Sequence, residues 1–178
     1  MIEGKLVNLR ARETGDLDRM YRWINDGEVT RFLEMRYPIS LAAEEAWIKS
    51  QVSTPASYAD VRFAIETKDG VHIGGINFNE VSPEDRRARL GITIGETAYW
   101  SRGYGTDAML TFVRFGFEEM NLHRIELTVH ERNERARACY RKCGFAEEAR
   151  MRQSRYVRGE YVDVMVMGIL REEWEARQ

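Results

Sequence analysis

Apolar and polar residues alternate along several stretches of the chain, and a period of two is typical of β-strands with one buried face. Strands are therefore predicted at residues 5–10, 61–66, 71–78, 87–94 and 124–129, followed by two closing strands around Arg158 and Gly159. Turn residues separate the early strands: Lys68-Asp-Gly70 is typical of a hairpin, and residues 82–85 form a second turn.

Apolar residues spaced three or four positions apart predict helices between these strands. Thr14, Ser40 and Asn133 are the expected caps of three helices, and a fourth begins near Thr106. The residues expected to face inward are Ala43, Trp47 and Ile48 in one helix, and Ala108, Met109, Phe112, Val113 and Gly116 in another. In the first half of the chain the predicted strands follow one another as hairpins, and in the second half they alternate with helices. This order predicts an α/β fold, a mixed sheet covered by helices in one domain over residues 1–178.

Composition narrows the class of protein. The 178 residues are 43% hydrophobic and 31% charged, as in a folded globular domain. A net charge of −2 gives no long-range attraction for nucleic acid, and no apolar run approaches the roughly 18 residues that span a bilayer. We therefore expect neither nucleic acid nor a membrane as a partner.

The two cysteines and the first residues of the chain bear on metal binding and location. Cys139 and Cys143 lie four residues apart on one helix, a poor geometry for a disulfide, and two thiols without companion ligands are too few for zinc. No metal site is expected. The first residues lack the apolar core of a signal peptide, and with the unpaired thiols this predicts a cytoplasmic location.

A glycine-containing loop at residues 99–109 connects the strand at 87–94 to the next helix. Gly103 and Gly105 let the backbone approach a ligand closely, and Arg102 adds a positive charge. Backbone N–H groups at a helix N-terminus bind anions, so the loop suits a pyrophosphate. The alternative is an ordinary strand–turn–helix connection.

A second motif lies about thirty residues further on. Asn133, Arg137 and Tyr140 are spaced i, i+4 and i+7, which places them on one stripe of a helix. A phenol is able to donate a proton, so Tyr140 is a candidate catalytic residue. The alternative is that Tyr140 is a buried core residue on an apolar helix face.

The two motifs, with a strand between them, resemble the acetyl-coenzyme A core of the GNAT acetyltransferase superfamily, in the branch of ribosomal-protein N-terminal and spermidine acetyltransferases. The resemblance implies a mostly antiparallel sheet and acetyl-CoA as co-substrate. It also implies a loop of the form (Gln/Arg)-x-x-Gly-x-(Gly/Ala) that binds pyrophosphate. Here the loop reads Trp100-Ser-Arg-Gly103-Tyr-Gly105, so the glycines match while Trp100 replaces the usual Gln or Arg.

Carried over to this chain, the resemblance assigns the cofactor and catalytic residues. Tyr140 is the implied general acid. The implied cofactor-binding residues are Thr93, Ile94, Gly95, Trp100, Arg102, Gly103, Tyr104, Gly105, Thr106, Asn133, Arg137 and Lys142. Glu126 lies on the strand at 124–129 and is the candidate general base, with an ion pair to a neighbouring Arg, or a proton passed to solvent, as the alternatives.

The acceptor is expected to be a primary amine. Spermidine acetyltransferases carry acidic residues at places that hold Met35, Arg36 and Asn77 here, which favours a peptide or protein N-terminus over a polyamine. A small amine such as a diamine or amino sugar, and a catalytically silent CoA-binding scaffold, remain the alternatives. The resemblance also implies a homodimer, with Tyr156 and Tyr161 as exposed aromatic residues for its surface.

Overall fold

The computed structural model describes residues 1–178 as one eight-stranded sheet with five α-helices. The strands are β1 (Ile2–Glu3), β2 (Val7–Arg10), β3 (Val61–Thr67), β4 (His72–Ser82), β5 (Arg87–Ile94), β6 (Arg124–His130), β7 (Ala146–Val157) and β8 (Glu160–Leu170). The helices are α1 (Leu17–Ile24), α2 (Leu41–Ser53), α3 (Tyr104–Glu118), α4 (Glu134–Lys142) and α5 (Arg171–Glu175). None of the helices combines the length and the apolar character that crossing a membrane requires.

The sheet has the order β1-β2-β3-β4-β5-β6-β8-β7, and every pairing is antiparallel except that of β5 with β6. The parallel pair is short, since its register runs only from Arg87↔Arg124 to Arg89↔Glu126. Beyond Arg89 the two strands separate, and the sheet opens into a V-shaped gap. The expected mixed, mostly antiparallel sheet is confirmed.

Helices cover both faces of the sheet. On one face the inward side of α3 is buried as predicted, and the ring of Phe112 stacks on Phe78 with centroids 4.1 Å apart. On the other face α1 lies over the ends of β4 and β5, where Trp23 packs edge-on against His72 at 4.9 Å. Such aromatic pairs add about 0.5–1.5 kcal/mol beyond the area they bury.

A buried carboxylate joins the N-terminal strand to α3. Asp107, in the first turn of α3, accepts hydrogen bonds from the backbone N–H groups of Lys5, Leu6 and Val7 at 3.1, 2.7 and 3.0 Å. Three charge-assisted bonds to one side chain fix the start of α3 against the sheet.

Several local predictions are confirmed and others are wrong. Ser40 and Asn133 cap their helices through side-chain oxygens, at 3.2 Å from the N–H of Ala43 and of Ala136 respectively. Thr14 is not a cap, because it begins a 3-10 turn that continues into α1. In α2, Ala43 and Trp47 are exposed and only Ile48 of the expected three is buried, since Glu44 takes the second inward position.

Candidate active site

A large cleft of about 2130 Å³ opens where β5 and β6 separate. Its walls come from the glycine loop, the side of α4, the free face of β6 and the segment between α1 and α2. The predicted site residues that line it are Thr93, Ile94, Trp100, Gly103, Gly105, Thr106, Glu126, Asn133, Tyr140 and Lys142. Four do not line it: Gly95, Arg102, Tyr104 and Arg137.

The glycine loop delivers unpaired backbone donors to the cleft. Gly103 is the N-cap of α3 with φ +89°, a left-handed conformation that favours glycine, and no side chain caps the helix. The N–H groups of Tyr104, Gly105 and Thr106 therefore have no partner in the protein. With the positive end of the helix dipole behind them, these N–H groups are a candidate anion site.

Gly105 marks the face of α3 that a ligand would approach. A Cβ built there would meet nothing closer than the Cγ1 of Ile94 at 3.7 Å, an ordinary contact. Its φ is not in the left-handed region, so neither packing nor backbone conformation of the protein itself requires glycine at this position.

The open edge of β5 presents one of the three backbone positions expected to face the cofactor. The N–H of Gly95 donates to the carbonyl of Ile73 at 2.8 Å and is used within the sheet. Backbone groups of an antiparallel strand alternate in direction, so Thr93 also points toward β4 and Ile94 points into the gap. A Cβ on Gly95 would lie 2.1 Å from the indole of Trp23. The close approach expected at Gly95 is therefore made by Trp23.

Helix α4 brings Asn133 and Tyr140 to the cleft but not Arg137. The Arg137 guanidinium turns to β7, where its Nη2 lies 2.9 Å from Glu147 Oε1, and to the carbonyl of Glu131 at 3.1 Å. Arg137 keeps its i+4 place on α4, but its ion pair with Glu147 on β7 holds the guanidinium away from the cleft. Burial raises the pKa of Tyr140 above its usual range, so the phenol stays protonated at neutral pH.

The remaining loop residues differ in their surroundings. Arg102 is exposed, with its Nη1 3.2 Å from the carbonyl of Ala98, and it does not enter the cleft. Tyr104 packs edge-on against Tyr99 at 5.0 Å. Thr106 Oγ1 lies 3.3 Å from Cys139 Sγ and connects the start of α3 to α4.

Glu126 faces the cleft from β6, but three guanidinium groups surround it. Its Oε2 lies 3.0 Å from Arg124 Nε, and its Oε1 lies 3.5 Å from Arg87 and 3.6 Å from Arg89. These contacts occupy both oxygens of the carboxylate. This environment favours the ion-pair alternative.

Sequence reasoning missed three residues at the site. Arg135 places its guanidinium 3.7 Å from the ring centroid of Trp100. His130 lies on the cleft side of β6 under Phe32, both ring nitrogens are shielded and unpartnered, and burial lowers its pKa. Arg12 lies in an adjoining chamber. Each of these three residues is placed at the site by contacts with residues far away in the chain, and no local sequence motif predicts such contacts.

No three His, Cys, Asp or Glu side chains are placed together to hold a metal ion. The comparisons with known proteins agree with the geometry. Spermidine N(1)-acetyltransferase of Escherichia coli K12 is 28% identical over 171 residues, covering 96% of this chain and 89% of that protein. The crystal structure of spermidine N-acetyltransferase from Vibrio cholerae, in complex with CoA and spermine, superposes with a TM-score of 0.85 at 26% identity, covering 96% and 98% of the two chains.

A third relative represents another branch. The putative ribosomal N-acetyltransferase YdaF of Bacillus subtilis is 30% identical over 110 residues, covering 62% of this chain and 60% of that protein. Residues 7–146, most of the chain, match the family described as the acetyltransferase (GNAT) domain. With the split sheet, the glycine loop and α4 arranged around one cleft, the chain belongs to the GNAT family of N-acetyltransferases.

Proposed function

We propose that this protein transfers an acetyl group from acetyl-CoA to a primary amine, the N-terminal amine of a peptide or protein. One observation carries the proposal: the unpaired N–H groups of Gly105 and Thr106, at the start of α3, border the same cleft as Tyr140 and the end of β5. The whole of residues 1–178 serves as the catalytic domain.

The residues of the cleft fit acetyl-CoA. The N–H groups of Tyr104, Gly105 and Thr106 suit its pyrophosphate, and the open side of Gly105 leaves room for it. The N–H of Ile94, turned into the gap, suits an amide of the pantetheine arm. Asn133 uses its side-chain oxygen for the helix cap, which leaves its amide N–H₂ as the donor toward that arm.

Tyr140 serves as the proton donor. When the amine attacks, the carbon–nitrogen bond forms, the carbon–sulfur bond breaks, and the phenol of Tyr140 donates to the departing thiolate. The raised pKa keeps this donor protonated through the neutral range. Positioned donors of this kind contribute about 10²–10⁴-fold in rate.

The proton released by the amine passes to solvent water in the cleft. Glu126 is the only carboxylate of β6, and its oxygens face Arg87, Arg89 and Arg124. We therefore assign Glu126 to holding β5 and β6 together where their pairing ends, in place of the general-base role.

The lining of the cleft supports a peptide amine over a polyamine. Met35, Arg36 and Asn77 all line it, at places where acidic residues are expected in spermidine acetyltransferases. Those three positions offer a polycation no carboxylate; of the two glutamates that the same segment adds to the lining, Glu28 and Glu34, the second is paired with Arg155. Two relatives are named for spermidine, so polyamines belong in the test.

A thiol-release assay tests the proposal. Purified protein with acetyl-CoA is offered peptides with free N-termini, spermidine and spermine, and amino sugars. Peptide-dependent release of CoA supports the proposal, and release with polyamines alone overturns the acceptor assignment. Binding of CoA without release for any amine would identify a silent scaffold instead.

We also propose a homodimer in the cytoplasm. Strand β7 is an edge strand of twelve residues that is exposed over most of its length, and such an edge is a template for pairing with another chain. Tyr156 and Tyr161 are 48% and 64% exposed and lie beside each other near the β7–β8 turn. Both cysteines are free thiols, as expected in a reducing compartment.

A further inference from the structure

A second chamber of about 530 Å³ adjoins the cleft on the face of the sheet covered by α1 and α2. Its floor is the backbone of β4 and β5 at Gly75 and Thr93, and its walls are mostly apolar. They come from α1, α2 and the segment between them, and include Met20, Trp23, Leu33, Met35 and Trp47. Thr93 and Met35 line both spaces, so the chamber begins beside the end of β5, where the acetyl group has to be presented.

Two charged groups of opposite sign, Arg12 and Glu44, enter this apolar space and attract each other, but no hydrogen bond or salt bridge joins them. Arg12 makes no hydrogen bond or ion pair with the protein, and its guanidinium carbon lies 5.3 Å from the ring centroid of Trp47. Burial, with a smaller contribution from Arg62, lowers the pKa of Arg12 to about 10. Glu44 is 6% exposed and equally unpaired, and burial raises its pKa. The guanidinium is therefore still charged at neutral pH, and it lacks an oxygen ligand.

Gly75 explains why the guanidinium lies where it does. A Cβ on Gly75 would be 3.3 Å from Arg12 Nη2, so the missing side chain leaves the space that the guanidinium occupies. Gly75 pairs directly with Thr93, and opposite residues in an antiparallel pair lie about 4.5–5.5 Å apart. The guanidinium N–H groups of Arg12 therefore lie beside Gly75, whose partner across the sheet is Thr93, near the end of β5.

We propose that the chamber binds an aminoacyl acceptor: an α-amine whose neighbouring carbonyl or carboxylate oxygen accepts from Arg12 and whose side chain is large and apolar. The inference rests on the proposed function and specifies its acceptor. The apolar walls take the side chain, and the guanidinium supplies the missing polar contact. A free amino acid and a peptide N-terminus share this chemistry.

The charges of the chamber also exclude a polycation. Arg12 and Glu44 balance each other, so no net negative charge is left to hold a second or third ammonium group. A guanidinium near the reacting amine disfavours the ammonium form and raises the fraction of neutral nucleophile.

The test compares acceptors that differ by one group. Phenylalaninamide, phenylalanine, a peptide beginning with Phe, alaninamide, phenethylamine and spermidine are assayed for kcat/KM with acetyl-CoA. We expect phenylalaninamide to exceed both alaninamide, which lacks the ring, and phenethylamine, which lacks the carbonyl, by at least about tenfold. In Arg12→Met the kcat/KM values for phenylalaninamide and phenethylamine should be about equal. The ratio of kcat/KM for phenylalanine to kcat/KM for the peptide beginning with Phe shows whether the acceptor is a free amino acid or a peptide N-terminus.

Controls separate this inference from the proposed function. Arg152→Met, an equal change at an exposed position of β7, should keep the wild-type preference. The affinity of Arg12→Met for CoA, measured by calorimetry, should match that of wild type. If Arg12→Met fails to fold, Arg12→Lys is used instead, and the preference should then be reduced but not lost, because the ammonium still donates. Equal use of phenylalaninamide and phenethylamine by wild type, or an unchanged preference in Arg12→Met, overturns the inference while acetyl transfer stands. Absence of thiol release with every amine overturns the proposed function itself.

Discussion

The indole N–H of Trp100 donates a 2.7 Å hydrogen bond to the backbone carbonyl of Ile94. The contact joins the glycine loop to the end of β5, so the two backbones that border the cleft hold each other at a fixed separation. Indole has a single donor, and this bond uses it. Trp100 therefore replaces the usual Gln or Arg as a residue that positions the loop.

Trp100→Phe should weaken coenzyme binding without unfolding the protein. The ring still packs under Arg135, but the bond to Ile94 is lost. A net hydrogen bond contributes about 0.5–1.5 kcal/mol, which corresponds to roughly 2–12-fold in Kd. Calorimetric titration with CoA measures the change in Kd, with Tyr58→Phe, at an aromatic residue that is 40% exposed and lines neither the cleft nor the chamber, as the control. A wild-type Kd in Trp100→Phe would show that the bond does not position the loop.

Gly105→Val should lower CoA affinity far more than it lowers Tm. A Cβ at this position contacts nothing in the protein closer than 3.7 Å, so the fold tolerates the change, while the added methyl groups take up space beside the N–H groups proposed to bind the pyrophosphate. We expect at least a tenfold rise in Kd by calorimetry. Gly15→Val, at a position with open space on all sides, serves as the control. If folded Gly105→Val binds CoA normally, the loop is not the pyrophosphate site.

Tyr140→Phe should leave CoA affinity nearly intact and reduce kcat by about 10²–10⁴-fold. The ring packing survives and only the proton donor is lost. Because the phenol pKa is raised, wild type should show no loss of activity from ionisation of Tyr140 as pH rises toward 10. Steady-state kinetics from pH 6 to 10 measure both effects. A wild-type kcat in the folded variant removes Tyr140 from the mechanism.

Glu126→Gln should affect stability more than turnover. Removing the carboxylate leaves three guanidinium groups facing one another and should cost about 1.5–3 kcal/mol, or roughly 3–12 °C in Tm. We expect kcat to fall less than tenfold with the same pH profile. A loss of 10²-fold or more at pH 7 that disappears at high pH, where the amine is already neutral, would restore Glu126 as the general base.

Sedimentation at micromolar concentration should show a dimer of this 20.8 kDa chain. If β7 forms the interface, a charge at its exposed aromatic end, such as Tyr156→Asp, should shift the equilibrium toward monomer while CoA still binds. A single 20.8 kDa species of the wild type contradicts the proposed dimer.

Local sequence patterns predicted the strands of the sheet and the position of the glycine loop. Alternation of apolar residues, helix caps and glycines each determine the backbone over only a few residues, so they can be recognised in the sequence. Strand β5 and the start of β6 agree with the predicted bounds, whereas α3 begins at Tyr104, two residues before the predicted Thr106, and its N-cap Gly103 is left-handed. The direction of a long side chain was not predictable in the same way. Arg137 turns to Glu147 on a later strand, and Arg12 occupies the space above Gly75, which is 63 residues away.

The three hydrogen bonds that Asp107 accepts from Lys5, Leu6 and Val7 span about a hundred residues of chain. During synthesis the N-terminal strand leaves the ribosome long before α3 does, at the usual rate of about 5–20 residues per second. During those seconds the N–H groups of Lys5, Leu6 and Val7 lack their acceptor, the carboxylate of Asp107. The N-terminal segment therefore docks onto the sheet-facing side of α3 only after the first turn of that helix has been synthesised.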